Sequence, residues 1–319
     1  YVENVINQNL HGLAAPTMLI ITTDALYEQA ERIADFHRTH DNMDVTVLRQ
    51  KNIFNEFSSG VPGAMAYRRI CKMFYQRDPM KFRYLLLVGG GSYDNRQLTN
   101  PDSETELLIT WQSDASNHAV DSYCSDDFFG VMSETASTID SNTLLNLAIG
   151  RIPFVSEADC RSYIDKLLAY MAEPPKQSEM WRSNMLVIGE YGDDYIHTIQ
   201  TEDFINKFND SGMFAANFNK IYLEPYDNID NLEGSREKLV EDFNVGQYFT
   251  MFIGHSNTSS MTKPMILMDL QKATNTKYDV APIMYISSCD VGRYDMGVTS
   301  FLDRLLLNPN GGVICAIAA

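Results

Sequence analysis

The chain has 319 residues, 45% hydrophobic and 21% charged, with a formal net charge of −17. That is an ordinary globular composition and enough length for two lobes. The excess of carboxylates argues against a nucleic-acid partner and against anionic lipid, and no stretch approaches the roughly 18 uncharged apolar residues of a membrane span.

Short apolar runs alternate with helical patterns along the whole chain. In order they are "TMLIIT" (17–22), "DVTVL" (44–48), "RYLLLVGG" (83–90), "LNLAIGR" (145–151), "NMLVIGE" (184–190), "KIYLE" (220–224), "QYFTMFIG" (247–254), "PIMYISS" (282–288) and "GGVICAIA" (311–318). Most are apolar on successive residues, which predicts strands covered on both faces of a parallel sheet. The segments between them, such as 24–40 and 200–209, are long enough for crossover helices. The alternation predicts an α/β fold with mainly parallel sheets flanked by helices.

One helix is marked at its start by Ser156 with Asp159 three residues on. Its apolar face is Cys160, Tyr163, Ile164, Leu167, Leu168 and Met171. The "EPPK" at 173–176 ends it, because two prolines cannot continue a helix. A boundary near 173–182 is therefore expected, dividing an N-terminal α/β subdomain (1–175) from a C-terminal one (176–319). The chain begins with Tyr1 and ends on "GGVICAIAA", which reads as a segment of a longer protein. The five cysteines, Cys71, Cys124, Cys160, Cys289 and Cys315, are odd in number and irregularly spaced. They are neither a disulfide framework nor, without a CxxC pair, a structural zinc site.

In parallel α/β sheets, sites gather beyond the carboxyl ends of the strands. Two predicted strand ends in the second half carry reactive groups: Gly254-His255, and Cys289 in "YISSCDVGRYD". If their strands are neighbours, an imidazole and a thiol emerge at one edge. The imidazole can then take the thiol proton and later deliver it to a leaving amine, with the backbone N–H groups of Ser256 and Cys289 as oxyanion donors. The competing reading is a buried cysteine and a turn histidine.

Other motifs are weaker. "LLLVGGGSYDNR" (85–96) has glycines after a strand but lacks GKS/T and a spaced GxGxxG, so a strand-end turn is the better account than a phosphate loop. "SDDFFG" offers Asp126 and Asp127, which alone do not make a calcium site. "EYGDDYIHTI" offers Glu190, Asp193, Asp194 and His197, which could line a cleft or bind a cation, or form a solvated loop and helix start.

Taken in order, several landmarks resemble the gingipain-type cysteine peptidases, a branch of the caspase-like clan, and within it the type IX secretion sortases. They are "LLLVGGGSYDNR", "SDDFFG", "LAIGRIPFVSEADCRSYIDKLLAY", "WRSNMLVIGEYGDD", "FIGHSN", "SSCDVGRYD" and "LLLNPNGGVICAIAA", spanning about residues 83–319. The resemblance implies a caspase-like fold of two α/β subdomains and a catalytic dyad of His255 and Cys289. The chemistry it implies is a thioester at the peptide carbonyl, with no cofactor required; calcium is compatible as a structural ion. A sortase of this kind removes the C-terminal sorting domain of secreted cargo and can pass the acyl group to lipopolysaccharide. It works at the cell surface beside an outer-membrane barrel partner.

Two positions depart from the family pattern. Ser256 stands where glycine usually follows the histidine. Asn146 stands five positions before Arg151, where an acidic residue often orients the imidazole. An amide can hold an imidazole but cannot stabilise imidazolium by charge, so Asn146 is the expected third member, with Asp126 or Asp127 as substitutes. Asp126, Asp127 and Asp193 are also the candidates for a cleft or specificity role. These departures motivate one alternative, a catalytically silent homologue acting as a scaffold; a second, a gingipain-like endopeptidase, stays open because the sequence does not place the specificity pocket.

Overall fold

The computed structural model describes residues 7–318 apart from 102, 115–121, 134–142, 173–178, 224–232, 263–267, 270–271, 273–274 and 276. The chain divides into two compact units, Tyr1–Ile164 with Tyr294–Gly297, and Asp165–Arg293 with Val298–Ala319.

The first unit is built on β1 (Met18–Thr22), β2 (Val45–Arg49), β3 (Tyr84–Val88) and β4 (Ala148–Ile152), which pair in the order β2-β1-β3-β4, all parallel. Helices α1 (Tyr27–His40), α2 (Gln50–Phe57) and α3 (Ala64–Arg77) fill the connections. Leu19 and Ile21 share one face of β1 by the two-residue period and join a core with Ile53, Phe54, Tyr67, Ile70 and Phe74 from α2 and α3. Helix α4 (Glu157–Ala172) follows β4, and the Ser156 side chain accepts the Asp159 N–H at 3.3 Å, as the cap-like start predicts.

The second unit contains β5 (Asn184–Gly189), α5 (Ile196–Ser211), β6 (Asn217–Tyr222), α6 (Glu233–Val245) and β7 (Phe249–Ile253). Three two-residue strands come next: β8 (Ser256–Asn257), β9 (Ser260–Met261) and β10 (Met268–Asp269). The unit ends with β11 (Ile283–Ser287), α7 (Phe301–Leu307) and β12 (Cys315–Ala318). The main sheet runs β12-β11-β7-β5-β6, all parallel, while β8, β9 and β10 form a small antiparallel sheet.

Every run read as a strand is one. The expectation of cover on both faces holds for β1 and β5, which are buried throughout, but not for the edge strands β4, β6 and β12, nor for β11 inside its sheet, where Tyr285 and Ser287 are exposed. β12 starts at Cys315 and not at Gly311, because residues 311–314 are still turning. Gly312 has φ 67° and sits so close to the Leu305 carbonyl that no side chain fits.

Of the boundary expected at 173–182, residues 173–178 lie outside the described residues. The division between the compact units falls inside α4, between Ile164 and Asp165. The reason is visible in neighbouring residues of the helix. Cys160, Tyr163 and Ile164 are buried, with Tyr163 against Phe154 at 5.5 Å between ring centroids. Lys166 is instead held by the second unit, its ammonium donating to the carbonyls of Leu305 (3.4 Å), Leu306 (3.2 Å), Asn308 (2.9 Å), Gly311 (2.8 Å) and Val313 (2.9 Å). One cation thus satisfies the orphan carbonyls at the end of α7 and in the turn that follows. Burial pulls the Lys166 amine down to about 8, while the surrounding carbonyl oxygens favour its ammonium form.

Lys166→Met, which keeps the stem and removes the donor, is expected to destabilise the protein by about 2–4 kcal/mol in urea unfolding. A loss within about 0.5 kcal/mol, the usual range of a surface substitution, would show that these carbonyls find other partners.

Candidate active site

In the second unit β7 lies between β5 and β11. The ladders pair Ile253 with Gly189 on one side and with Ser287 on the other, so the three strands end level. The residues just beyond those ends are Glu190, Asp193 and His197 after β5, His255 after β7, and Cys289 after β11. The condition set by the sequence, that the strands before His255 and Cys289 be parallel neighbours, is met.

Gly254 extends the ladder by one residue, its N–H donating to the Ser287 carbonyl at 3.3 Å. Only glycine fits there: a Cβ would stand 2.5 Å from Glu190 Cβ and 2.6 Å from Glu190 Oε2. This close approach seats the buried Glu190 carboxylate on the backbone N–H of His255.

The imidazole of His255 meets Asp193, with Nε2 2.5 Å from Oδ2. His197 Nε2 lies 3.3 Å from the same oxygen, and the two rings stand edge to face at 5.3 Å between centroids. Asp193 is delivered by an unusual turn. Gly192, Asp193, Asp194 and Tyr195 all have positive φ, at 89°, 48°, 54° and 65°. Left-handed backbone costs a non-glycine residue about 1–2 kcal/mol, and strain of this kind is kept where the surroundings over-determine it. Here the start of α5 and the hydrogen bond to His255 do so. The His255 imidazole beside Asp193, with His197 adding to it, holds the Asp193 carboxyl below the usual carboxylate range. It is therefore an anion at neutral pH, able to fix the ring's tautomer and stabilise imidazolium.

Cys289 is exposed. The Ser256 hydroxyl donates to the Cys289 carbonyl, tying the segment after β7 to the segment after β11. Ser256 pairs with Met261 across β8 and β9, and Thr262 N–H donates to the His255 carbonyl at 2.8 Å. Hydrogen-bonded and non-hydrogen-bonded pairs alternate in an antiparallel ladder, so Ser256–Met261 is a non-hydrogen-bonded pair and the Ser256 N–H points away from β9. Ser256 is not among the residues of positive φ, so a side chain there needs no left-handed backbone, and its hydroxyl has a structural partner.

The remaining candidates belong to the first unit. Asn146 Oδ1 accepts from Met132 N–H at 3.1 Å and its Nδ2 donates to the Tyr75 hydroxyl at 3.2 Å. Asp126 takes two hydrogen bonds of 2.7 Å from Arg151, whose guanidinium stacks on the Tyr294 ring at 4.6 Å, and the Tyr294 hydroxyl donates to Asp126 at 3.3 Å. Asp127 is exposed, its backbone N–H bonded to Ser125 Oγ at 3.3 Å. Arg151 of the "IGR" segment is thus neutralised by Asp126 of "SDDFFG", a bidentate pair. The glycines of "VGGGS" serve packing: side chains at Gly89, Gly90 and Gly91 would collide with Leu108, Val155 and Thr110.

By sequence, Asp193 is a specificity candidate and Asn146 the expected partner of the histidine. The sequence carries no signal for Asp193 or Glu190 on His255, because that contact depends on β5 being the neighbour of β7.

An exposed thiol and an imidazole braced by a carboxylate, at level ends of adjacent parallel strands, are what thiol-based acyl transfer requires. The model of Peptidase family C25 matches residues 11–319. The chain belongs to this family of cysteine peptidases. No curated protein matches it. Among solved structures, dimeric latent PorU from Porphyromonas gingivalis is 30% identical over 63% of this chain and 21% of that one, with a TM-score of 0.47. The Arg-specific cysteine proteinase gingipain R is 16% identical over 98% of this chain and 64% of that one, at a TM-score of 0.65. The complex of the pro- and mature domains of Porphyromonas gingivalis RgpB is 18% identical over 95% and 63%, at 0.63. The gingipain matches show the fold, a gingipain-like α/β arrangement of parallel sheets flanked by helices. The chain spans about a fifth of the PorU chain and less than two thirds of the gingipain chains.

Asp193→Asn is expected to lower kcat about 100-fold with little change in KM, since an amide cannot stabilise imidazolium. Asn146→Ala is expected to cost about 1 kcal/mol of stability and leave kcat unchanged. Steady-state kinetics and thermal melts on the two variants decide this, and the reverse pattern would assign the orienting role to Asn146.

Proposed function

We infer that the protein is a sortase-type cysteine peptidase in which Cys289 is the nucleophile and His255 the general base. The observation that carries the dyad is the parallel pairing of β7 with β11, which puts the two residues at one sheet edge, together with the carboxylate of Asp193 on the imidazole. His255 takes the thiol proton as the sulfur attacks a peptide carbonyl. The tetrahedral oxyanion draws on the N–H groups of Ser256 and Cys289, and its collapse to a thioester expels the amine, which leaves with the proton held by His255. Water or an incoming amine then attacks the thioester, giving its proton to His255 and releasing Cys289.

The sorting reading rests on the ordered landmarks from "LLLVGGGSYDNR" to "LLLNPNGGVICAIAA". The substrate is then the C-terminal sorting domain of type IX secreted cargo. An amine on lipopolysaccharide is the acceptor, an outer-membrane barrel the partner, and the cell surface the place of work. Calcium from the medium is a compatible structural ion.

The test uses the complete protein and a cargo carrying its sorting domain. Cys289→Ala is expected to abolish cleavage while leaving the melting temperature unchanged. Added amine is expected to divert the product from the free acid to the amide. Cleavage retained in Cys289→Ala would overturn the assignment. Cleavage of unrelated basic-site peptides at equal rates would favour the endopeptidase reading over sorting.

A further inference from the structure

The loop after β5 brings more ligating groups to His255 than proton transfer needs. Glu190, His197 and His255 each offer one ligating atom, and these three atoms lie within 4.8 Å of one another. In a tetrahedral zinc site with bonds near 2.1 Å, neighbouring ligands stand about 3.4 Å apart, so side-chain shifts of about an ångström close the set around one ion. Two imidazoles with one carboxylate are a borderline-soft donor set suited to zinc, unlike the all-oxygen sets that select calcium or magnesium. Asp193, on the Nε2 atoms of both histidines, would be the carboxylate that orients them.

A second observation concerns His197. Its side chain is mostly buried, yet its Nδ1 has no hydrogen-bond partner among the described residues. Buried polar atoms are nearly always partnered. The Asp193 contact uses Nε2 and leaves the Nδ1 of this ring available to a ligand. The proton-transfer steps above do not use His197 either.

We propose that Glu190, His197 and His255 form a binding site for a zinc ion that blocks the enzyme reversibly. The ion takes the imidazole lone pair of His255 and leaves no base for the Cys289 proton. Zinc binding itself does not depend on the peptidase reading; only its blocking effect rests on His255 being the base.

The experiment begins with the full chain carrying Cys289→Ala, which removes the competing thiol, titrated with zinc chloride alone in a calorimeter. Saturable one-to-one binding is expected, with no binding of magnesium. His197→Ala and Glu190→Gln are each expected to weaken it about 10-fold or more, with circular dichroism checking that each variant is folded. Should Glu190→Gln unfold, His197→Ala decides. The site is overturned if zinc does not bind to the Cys289→Ala chain, or binds His197→Ala with unchanged affinity. With Cys289 restored, zinc is expected to stop substrate cleavage and a chelator to restore it. Tight binding without inhibition would overturn the blocking role and count against His255 as the base, while leaving the metal site in place.

Discussion

The hydrogen-bond ladders that join β7 to β5 on one side and to β11 on the other fix the candidate site. Parallel pairing with this register makes the three strands end level, and successive strands must then release their chains at the same edge. Glu190, His255 and Cys289 are neighbours for that reason alone, although 65 residues separate the first two. A shift of one residue between β5 and β7 would put the Glu190 carboxylate off the His255 N–H and remove the requirement for glycine at 254.

Around this frame, local geometry refines the positions. Gly254 lets β7 pass Glu190 at a distance that no other residue allows. The run of left-handed residues from Gly192 to Tyr195 turns the chain after β5 so that Asp193 reaches the imidazole. The Ser256 hydroxyl binds the carbonyl of Cys289 and so couples the two strand ends directly. In the first unit the landmarks have another task. Arg151 and Asp126 neutralise each other beside Tyr294, a buried arrangement whose loss of one partner would leave an uncompensated charge.

Much of this was legible in the sequence. Strands such as 18–22 and 184–189 are buried on both faces and so read as unbroken apolar runs, and all nine predicted runs form strands. His255 and Cys289 were legible as strand-end residues. What the sequence does not record is strand order. By sequence Asn146 is the expected partner of the histidine; in the fold its amide bonds Met132 and Tyr75 within the first unit, and a carboxylate on His255 comes from Asp193 within the second. Asp193 comes from a turn of three consecutive non-glycine residues in the left-handed region, which no propensity anticipates. The boundary inside α4 was hidden for a related reason. Lys166 is a lysine on an amphipathic helix by pattern, and only the fold supplies the five carbonyl groups it binds.

The central claim is that His255 activates Cys289 across the β7–β11 pair. Its most direct measurement is the rate of iodoacetamide alkylation at each thiol, followed by mass spectrometry in the unmodified protein and in His255→Ala. Cys289 is expected to react faster than the other four cysteines, and to fall to the rate of an ordinary exposed thiol when the imidazole is removed. A Cys289 that reacts at the same rate with and without His255 would contradict the account.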